Sequence, residues 1–405
     1  MRVVLRVAAL ALVCFGITAA PGRAQEAPLD PAEAARFRVG ALRFTPSIAV
    51  SNVGVDSNVF NEADDPKQDT TAAVGPAVNL WLKTGPARLS GKASGQYLYF
   101  NKYTNQRSWN TNAEGRWDLM LSRFVPYIAA GIIDNKDRPG FEIDSRVRLK
   151  QGHVNVGTPI RLSGKTTLLV EGGRTSTRYD RNDLVLGDQI ANSLDRRTNA
   201  EDAQLRVALT PLTVFVVRGG AMQDRFVYDT SRNADSVKVM PGFELKPEAL
   251  VSGQVFVGVR HFNALHNEVP DYTGVVADVN ASYALRSTLV QLRVNRDLNF
   301  SFELLEPYYA QLDTGLTLTQ RIARRWDLVG RGGRQILDYK HVSSATLRAR
   351  TDRSWQAGAG IGYRPAETLR LGLDAIYSKR DSGSLVVRNY EGLRVGASFS
   401  YGLDR

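Results

Sequence analysis

Over most of its length the chain alternates apolar and polar residues one by one, in runs longer than ordinary strands. "ARLSGKASGQYLYF" sets Leu89, Gly91, Ala93, Gly95, Tyr97 and Tyr99 against Arg88, Ser90, Lys92, Ser94 and Gln96. "STLVQLRVNRDLNFSF" sets Val290, Leu292, Val294, Leu298 and Phe300 against Gln291, Arg293, Asn295, Asp297 and Asn299. The rhythm returns in "YTGVVADVNASYAL", "SWQAGAGIGY" and "TLRLGLDAIYS", and it closes the chain in "EGLRVGASFSYGLDR". Successive side chains of a strand point to opposite faces, so each run is a strand with one oily and one polar face. A soluble sheet satisfies that rule too, but its strands are usually about 5–6 residues long. These runs reach the ~9–11 residues that a tilted strand needs to cross a bilayer. Alanine and glycine on the oily rows are tolerable against lipid and would pack a sandwich core poorly.

The connections sort into two kinds. Tight links occur at "KTGPA", "LSRFV", "TPLT", "KPEA", "ALRS" and "RPAET". Between them lie longer polar segments such as "IDNKDRPGFE", "DRNDLVLGDQIANSLDRR" and "KHVSSATLRAR". Short turns at one end and longer loops at the other belong to bacterial outer-membrane barrels. The expected fold is therefore all-β, a single transmembrane antiparallel up-and-down barrel. Counting strands between the links gives about eighteen, with sixteen as the fallback, and an even number puts both termini in the periplasm. Tyr97, Tyr99, Tyr283, Tyr363, Tyr377 and Tyr401 end the outward rows, where interfacial girdles lie.

The start of the chain supplies an address. "MRVVLRVAALALVCFGITAAPGRAQ" has a basic start at Arg2 and Arg6 and an apolar run, Val7 to Ala20, too short to span a bilayer. Gly22 and Ala24 are the small residues expected before a cleavage at Gln25, which makes 1–24 a secretory signal. Residues 25–40 read as a short periplasmic lead and 41–405 as the barrel. Cleavage removes Cys14, the single cysteine, so the mature chain has no disulfide and no thiolate metal site. It also removes three arginines, leaving 52 − 3 = 49 basic residues against 41 acidic ones, a net +8. That is mild for the length, and it gives no nucleic-acid patch.

Two stretches carry resemblances. Arg394-x-Gly396-x-x-Phe399-x-Tyr401 resembles the C-terminal signal read by the outer-membrane assembly machinery, although Gly402 to Arg405 follow where an aromatic normally ends the chain. "FTPSIAVSNVGVDSNVF" is similar to the opening of the beta-barrel porin 2 family of outer-membrane proteins. Pro46, Asp56, Asn58 and Phe60 carry that likeness, followed by "VGPAVNLWLKTGPARL" and the tyrosines of "QYLYF". The resemblance implies one barrel, often linked to exopolysaccharide gene clusters, with no established substrate. By their chemistry alone, Asp56 and Asn58 serve equally well to turn the first loop.

Catalytic and metal chemistry is thin. His153, His261, His266 and His341 lack zinc-like pairing. His341 and Ser343 share the spacing of an outer-membrane phospholipase pair, but they fall in a loop without a supporting asparagine. No cofactor is expected and the chain reads as no enzyme. Function then falls to the inward rows. Alternation points Lys92, Arg148, Lys150, Arg206, Arg218, Arg260, Arg293, Arg331 and Arg370 inward. It does the same for Glu171, Asp202, Asp224, Asp278, Asp297, Asp313 and Asp374. Near-balanced charge predicts a weakly selective channel for small polar solutes, saccharides among them, with a slight anion preference. The alternatives are an accessory barrel of exopolysaccharide secretion working with periplasmic export proteins, and a non-conducting structural barrel. Expected partners are outer-membrane lipids, lipopolysaccharide and the barrel assembly machinery.

Overall fold

Strand formation follows the sequence rhythm, because a pleated ribbon puts every second residue on one wall. In a computed structural model describing residues 32–33, 35–345, 349–383 and 388–402, eighteen long strands form one ring. The first six are β1 (Leu42–Asp56), β2 (Asp69–Thr84), β3 (Ala87–Phe100), β4 (Ser108–Leu119), β5 (Tyr127–Asp137) and β6 (Val147–Arg161). Next come β7 (Thr166–Tyr179), β8 (Arg196–Ala208), β9 (Thr213–Phe226), β10 (Ala234–Leu245), β11 (Val251–Ala264) and β12 (Tyr272–Leu285). The ring ends with β13 (Thr288–Phe300), β14 (Tyr308–Ile322), β15 (Trp326–Lys340), β16 (Thr351–Ala366), β17 (Leu369–Asp381) and β18 (Tyr390–Tyr401). Each strand pairs antiparallel with its sequence neighbour, and β18 returns to β1 through Ile48↔Tyr401 and Val55↔Val395. Closure leaves no unpaired edge, which is what a sheet in hydrocarbon requires. Segment 1–24 lies outside the described residues. Ahead of β1, Phe37–Val39 folds back on Leu42–Phe44 as a small hairpin.

On the ring strands the exposed large apolar side chains fall on one wall, among them Leu89, Ile132, Val156, Val170, Val257, Leu316, Leu373 and Val395. Aromatic pairs sit near both rims of that wall. Tyr97–Trp109 and Trp355–Tyr377 lie toward the long-loop end, and Trp326–Tyr363 and Phe215–Phe243 toward the short-turn end. Trp355 and Tyr363 share β16 and are about 26 Å apart along the strand at ~3.3 Å per residue. With strands tilted by about 40°, that run projects to about 20 Å along the membrane normal, the same scale as the apolar band of about 25 Å between aromatic girdles. Leu42 and Tyr401 both lie at the short-turn end.

Apolar burial is concentrated on the inner side and under the long loops. Ile143 and Val147 meet Val185, Ile190, Leu194 and Phe302 from two further loops. Val216, Met240, Phe256 and Val276 form a second group on the inner wall of β9 to β12. The seam between β1 and β18 depends on close backbone approach. A bulge at Asn52, with φ +53°, shifts the register there. A side chain at Gly54 would strike the Val395 carbonyl, and one at Gly396 would press on the Asn52 backbone.

Candidate functional site: the barrel lumen

The register places Lys92, Arg206, Arg218, Arg260, Arg293, Arg331 and Arg370 on the inner wall, as the alternation expects. Lys92 faces Asn79 and Glu114, Arg218 faces Gln204 and Met240, and Arg293 faces Asn280. Glu171, Asp202, Asp224, Asp278, Asp297, Asp313 and Asp374 share that wall. Arg148 and Lys150 do not. They lie in line with Val154 and Val156, which are exposed on the outer wall, and the expectation for these two is corrected. The reason is local: at the loop end of β6 the apolar residue Val147 turns inward under the folded loops, so the charged members of the alternation face out.

Most inner cations have a carboxylate beside them. Arg260 meets Asp297 at 2.7 Å, Arg293 meets Asp313 at 2.6 Å and Arg331 meets Asp374 at 3.0 Å. Arg206 pairs with Glu244, which also lies 3.2 Å from Arg218. Arg218 reaches Asp278 at 3.5 Å and stacks 3.5 Å above the Phe256 ring. Arg370 and Arg364 converge on Asp327, at 2.7 and 3.0 Å, and that carboxylate is 1% exposed. Several pairs join strands two apart, such as β11 with β13, so they run along the wall rather than across the bore. Sequence reasoning missed Glu244 and Asp327. Each sits within two residues of a tight turn, where a charge looks like a solvated turn residue. A polar recess of about 270 Å³ opens among Glu171, Asp202, Arg218, Lys238, Asp278 and Asp297.

The long-loop mouth is bridged. Loop 138–146, between β5 and β6, places Glu142 against Ser301 Oγ at 2.5 Å and the Phe302 N–H at 3.2 Å. Those partners follow β13, 13 − 6 = 7 strands from β6 in an eighteen-strand ring, so the loop reaches close to the far side. Arg380 at the end of β17 donates to the carbonyls of Phe141 and Glu142 and pairs with Asp144 at 2.6 Å. It also reaches Asp352, as does Arg350, at 2.7 and 2.9 Å. Arg388 and Arg350 hold Glu303, and Arg350 holds Glu306 at 2.6 Å. Arg232 donates to the carbonyls of Ser301, Glu303 and Pro307. Burial pushes the Glu142 carboxyl up to about 7, against the lowering pull of Ser301 and Arg388. The polar spelling of "RPGFEID" gives no hint that the loop is buried.

His341 lies 3.5 Å from Glu306, and the Ser343 N–H donates to the Glu268 carbonyl, so the two contact different loops. Among the described residues no three His, Asp or Glu side chains are grouped to hold a metal. At the seam, Arg394 points inward to Asp56 at 2.9 Å, while Phe399 and Tyr401 face outward opposite Val50 and Ile48.

A closed eighteen-strand ring with an apolar, aromatic-rimmed exterior and a charged interior defines a membrane-spanning porin-type β-barrel. The chain belongs to the family described as "Putative beta-barrel porin 2", whose model matches residues 30–401. No curated protein matches it. Similar solved structures include a BenF-like porin from Pseudomonas fluorescens Pf-5, with 11% identity and a TM-score of 0.48, covering 90% of this chain and 100% of that one. The outer membrane protein opdK from Pseudomonas aeruginosa has 11% identity and a TM-score of 0.47, over 89% of this chain and 98% of its own. The siderophore receptor PirA from Pseudomonas aeruginosa has 13% identity and a TM-score of 0.42, over 89% and 80%. Likeness at this level assigns no solute.

Proposed function

We propose that the protein is a transport barrel of the bacterial outer membrane rather than a catalyst. In this reading it is a weakly selective channel for small polar solutes, saccharides included, with both termini in the periplasm. The observation that carries the reading is the inner wall, where charge is dense but paired. Rings of eighteen strands leave an aqueous bore unless loops fill it. Paired charges orient polar solutes, yet the net field they present to a passing ion is small, so discrimination by sign is weak. Planar-bilayer recording tests it: discrete conductance steps, a small reversal potential in a salt gradient, and current noise on adding oligosaccharide are the expected results. Correctly folded barrel without conductance overturns it.

The bridged mouth favours a second reading, a barrel that conducts little on its own. In that reading it is a structural element, or an accessory of exopolysaccharide secretion that depends on periplasmic export proteins. Conductance that appears only when loop 138–146 is released separates a gated channel from this alternative.

A further inference from the structure

The outer wall of β5 to β9 carries a feature that lipid alone does not explain. Near the long-loop rim, Lys150 stands directly opposite Arg178, and Arg197 directly opposite Arg225, all on the lipid-facing side. Like charges facing each other across a strand pair are destabilising. Asp134 answers Arg148 at 2.7 Å and Lys150 at 3.9 Å, and Asp235 answers Arg225 at 2.7 Å. Glu201 stands lower, opposite Gly172. Arg174, Arg178 and Arg197 make no ion pair among the described residues. Immediately toward the short-turn end lies an apolar groove of about 610 Å³, floored by Ala113, Ala130 and Gly152, walled by Ile132 and Val154, and bordered by Arg174.

We propose that this wall binds the phosphorylated, acylated sugar lipid of the outer leaflet, the lipid A portion of lipopolysaccharide. The unpaired guanidiniums hold its phosphates and the groove takes an acyl chain. Planar guanidinium groups match phosphate in a two-point geometry. Charged side chains on a lipid-facing wall are tolerated near the interface, at ~0–1 kcal/mol, and not at the midplane. Arg178 is one residue from the loop end of β7, which places it at headgroup depth. The groove accounts for the small residues at Ala113, Ala130 and Gly152, which leave room where the neighbouring rows carry isoleucine and valine. The assignment rests on the long loops facing outward, as in the proposed function.

The test uses purified, folded full-length barrel in detergent, so neither conductance nor orientation enters the measurement. Bisphosphorylated lipid A is titrated and counted by native mass spectrometry. One retained lipid per barrel is expected, with affinity falling about tenfold or more when its phosphates are removed enzymatically. The triple variant R174Q/R178Q/R197Q should show a similar loss, and R334Q/R353Q, outward arginines on β15 and β16, should show none. Lipid A retained equally by the triple variant, or dephosphorylated lipid binding as tightly, overturns the proposal. So does an equal response to phosphatidylglycerol, which would reduce the wall to a generic basic surface. Should the triple variant fail to fold, the phosphate comparison on the unaltered protein decides by itself.

Discussion

Glu142 is the residue where burial and charge conflict most directly. Its carboxyl, raised from 4.5 to about 7, packs among Ser301, the Phe302 N–H, Arg388 and Glu303, with Arg380 and Asp144 on the adjoining backbone. A raised folded value means that the closed loop holds the proton between about pH 4.5 and 7. The stability it contributes is full below about 4.5 and is lost as pH rises through about 7. The mouth should therefore open more readily in mild alkali: open probability is expected to rise between about pH 5 and 8. Glu142→Gln, which fixes the neutral form, should flatten that profile and keep the mouth shut at the higher pH. An unchanged profile in the variant would show that another group governs the loop. Asp327 makes a second, simpler case. Asp327→Asn leaves Arg364 and Arg370 without their shared carboxylate, and loss of one partner from a buried pair costs about 3–5 kcal/mol. The gel-shift temperature of the folded barrel should fall clearly; a shift no larger than that of a loop substitution would place Asp327 in contact with water. The alternation showed that Arg370 faces inward but not what it meets, because its carboxylate comes from two strands away.

At the level of single elements the sequence was most transparent in mid-strand. There one wall faces lipid and the other the bore, so parity alone places Lys92, Arg293 and Asp374. It was least transparent at the loop ends. Val147 turns inward because Ile143, Val185 and Ile190 cover it, and only then do Arg148 and Lys150 face out. A pattern of period two cannot tell lipid from a folded loop, since both are apolar. The last strand makes the element-scale prediction. Phe399 and Tyr401 lie outward on β18 at the seam with β1, where an assembly factor reading the free strand would meet them. Replacing both with serine should lower the yield of heat-modifiable barrel and raise degraded protein. Substituting Leu292 and Leu316, equally outward on β13 and β14, should cost less. Equal yields for the two pairs would reduce the aromatic motif to ordinary lipid contact.

For the molecule as a whole, two structural facts pull conductance in opposite directions. The ring is wide enough for an aqueous bore, and loop 138–146 crosses its mouth to meet Ser301. Selectivity and flux should then be separable, because the wall sets one and the loop the other. Replacing residues 139–145 with a short Gly/Ser link removes Glu142 and the loop partners of Arg380, leaving Arg380 with Asp352 and leaving β5 and β6 intact. The expected result is a several-fold larger conductance with a nearly unchanged permeability ratio. Lys92 supplies the complement. It forms no ion pair among the described residues, so Lys92→Glu should move the ratio toward cations with little change in flux. The shift should fade near about 1 M salt, where the screening length falls to about 3 Å from about 8 Å at physiological strength. If the loop-replaced barrel folds, shows its usual gel shift and still passes no current, the inner wall itself closes the bore. The paired arginines would then hold a structural barrel together, and transport would have to come from a partner.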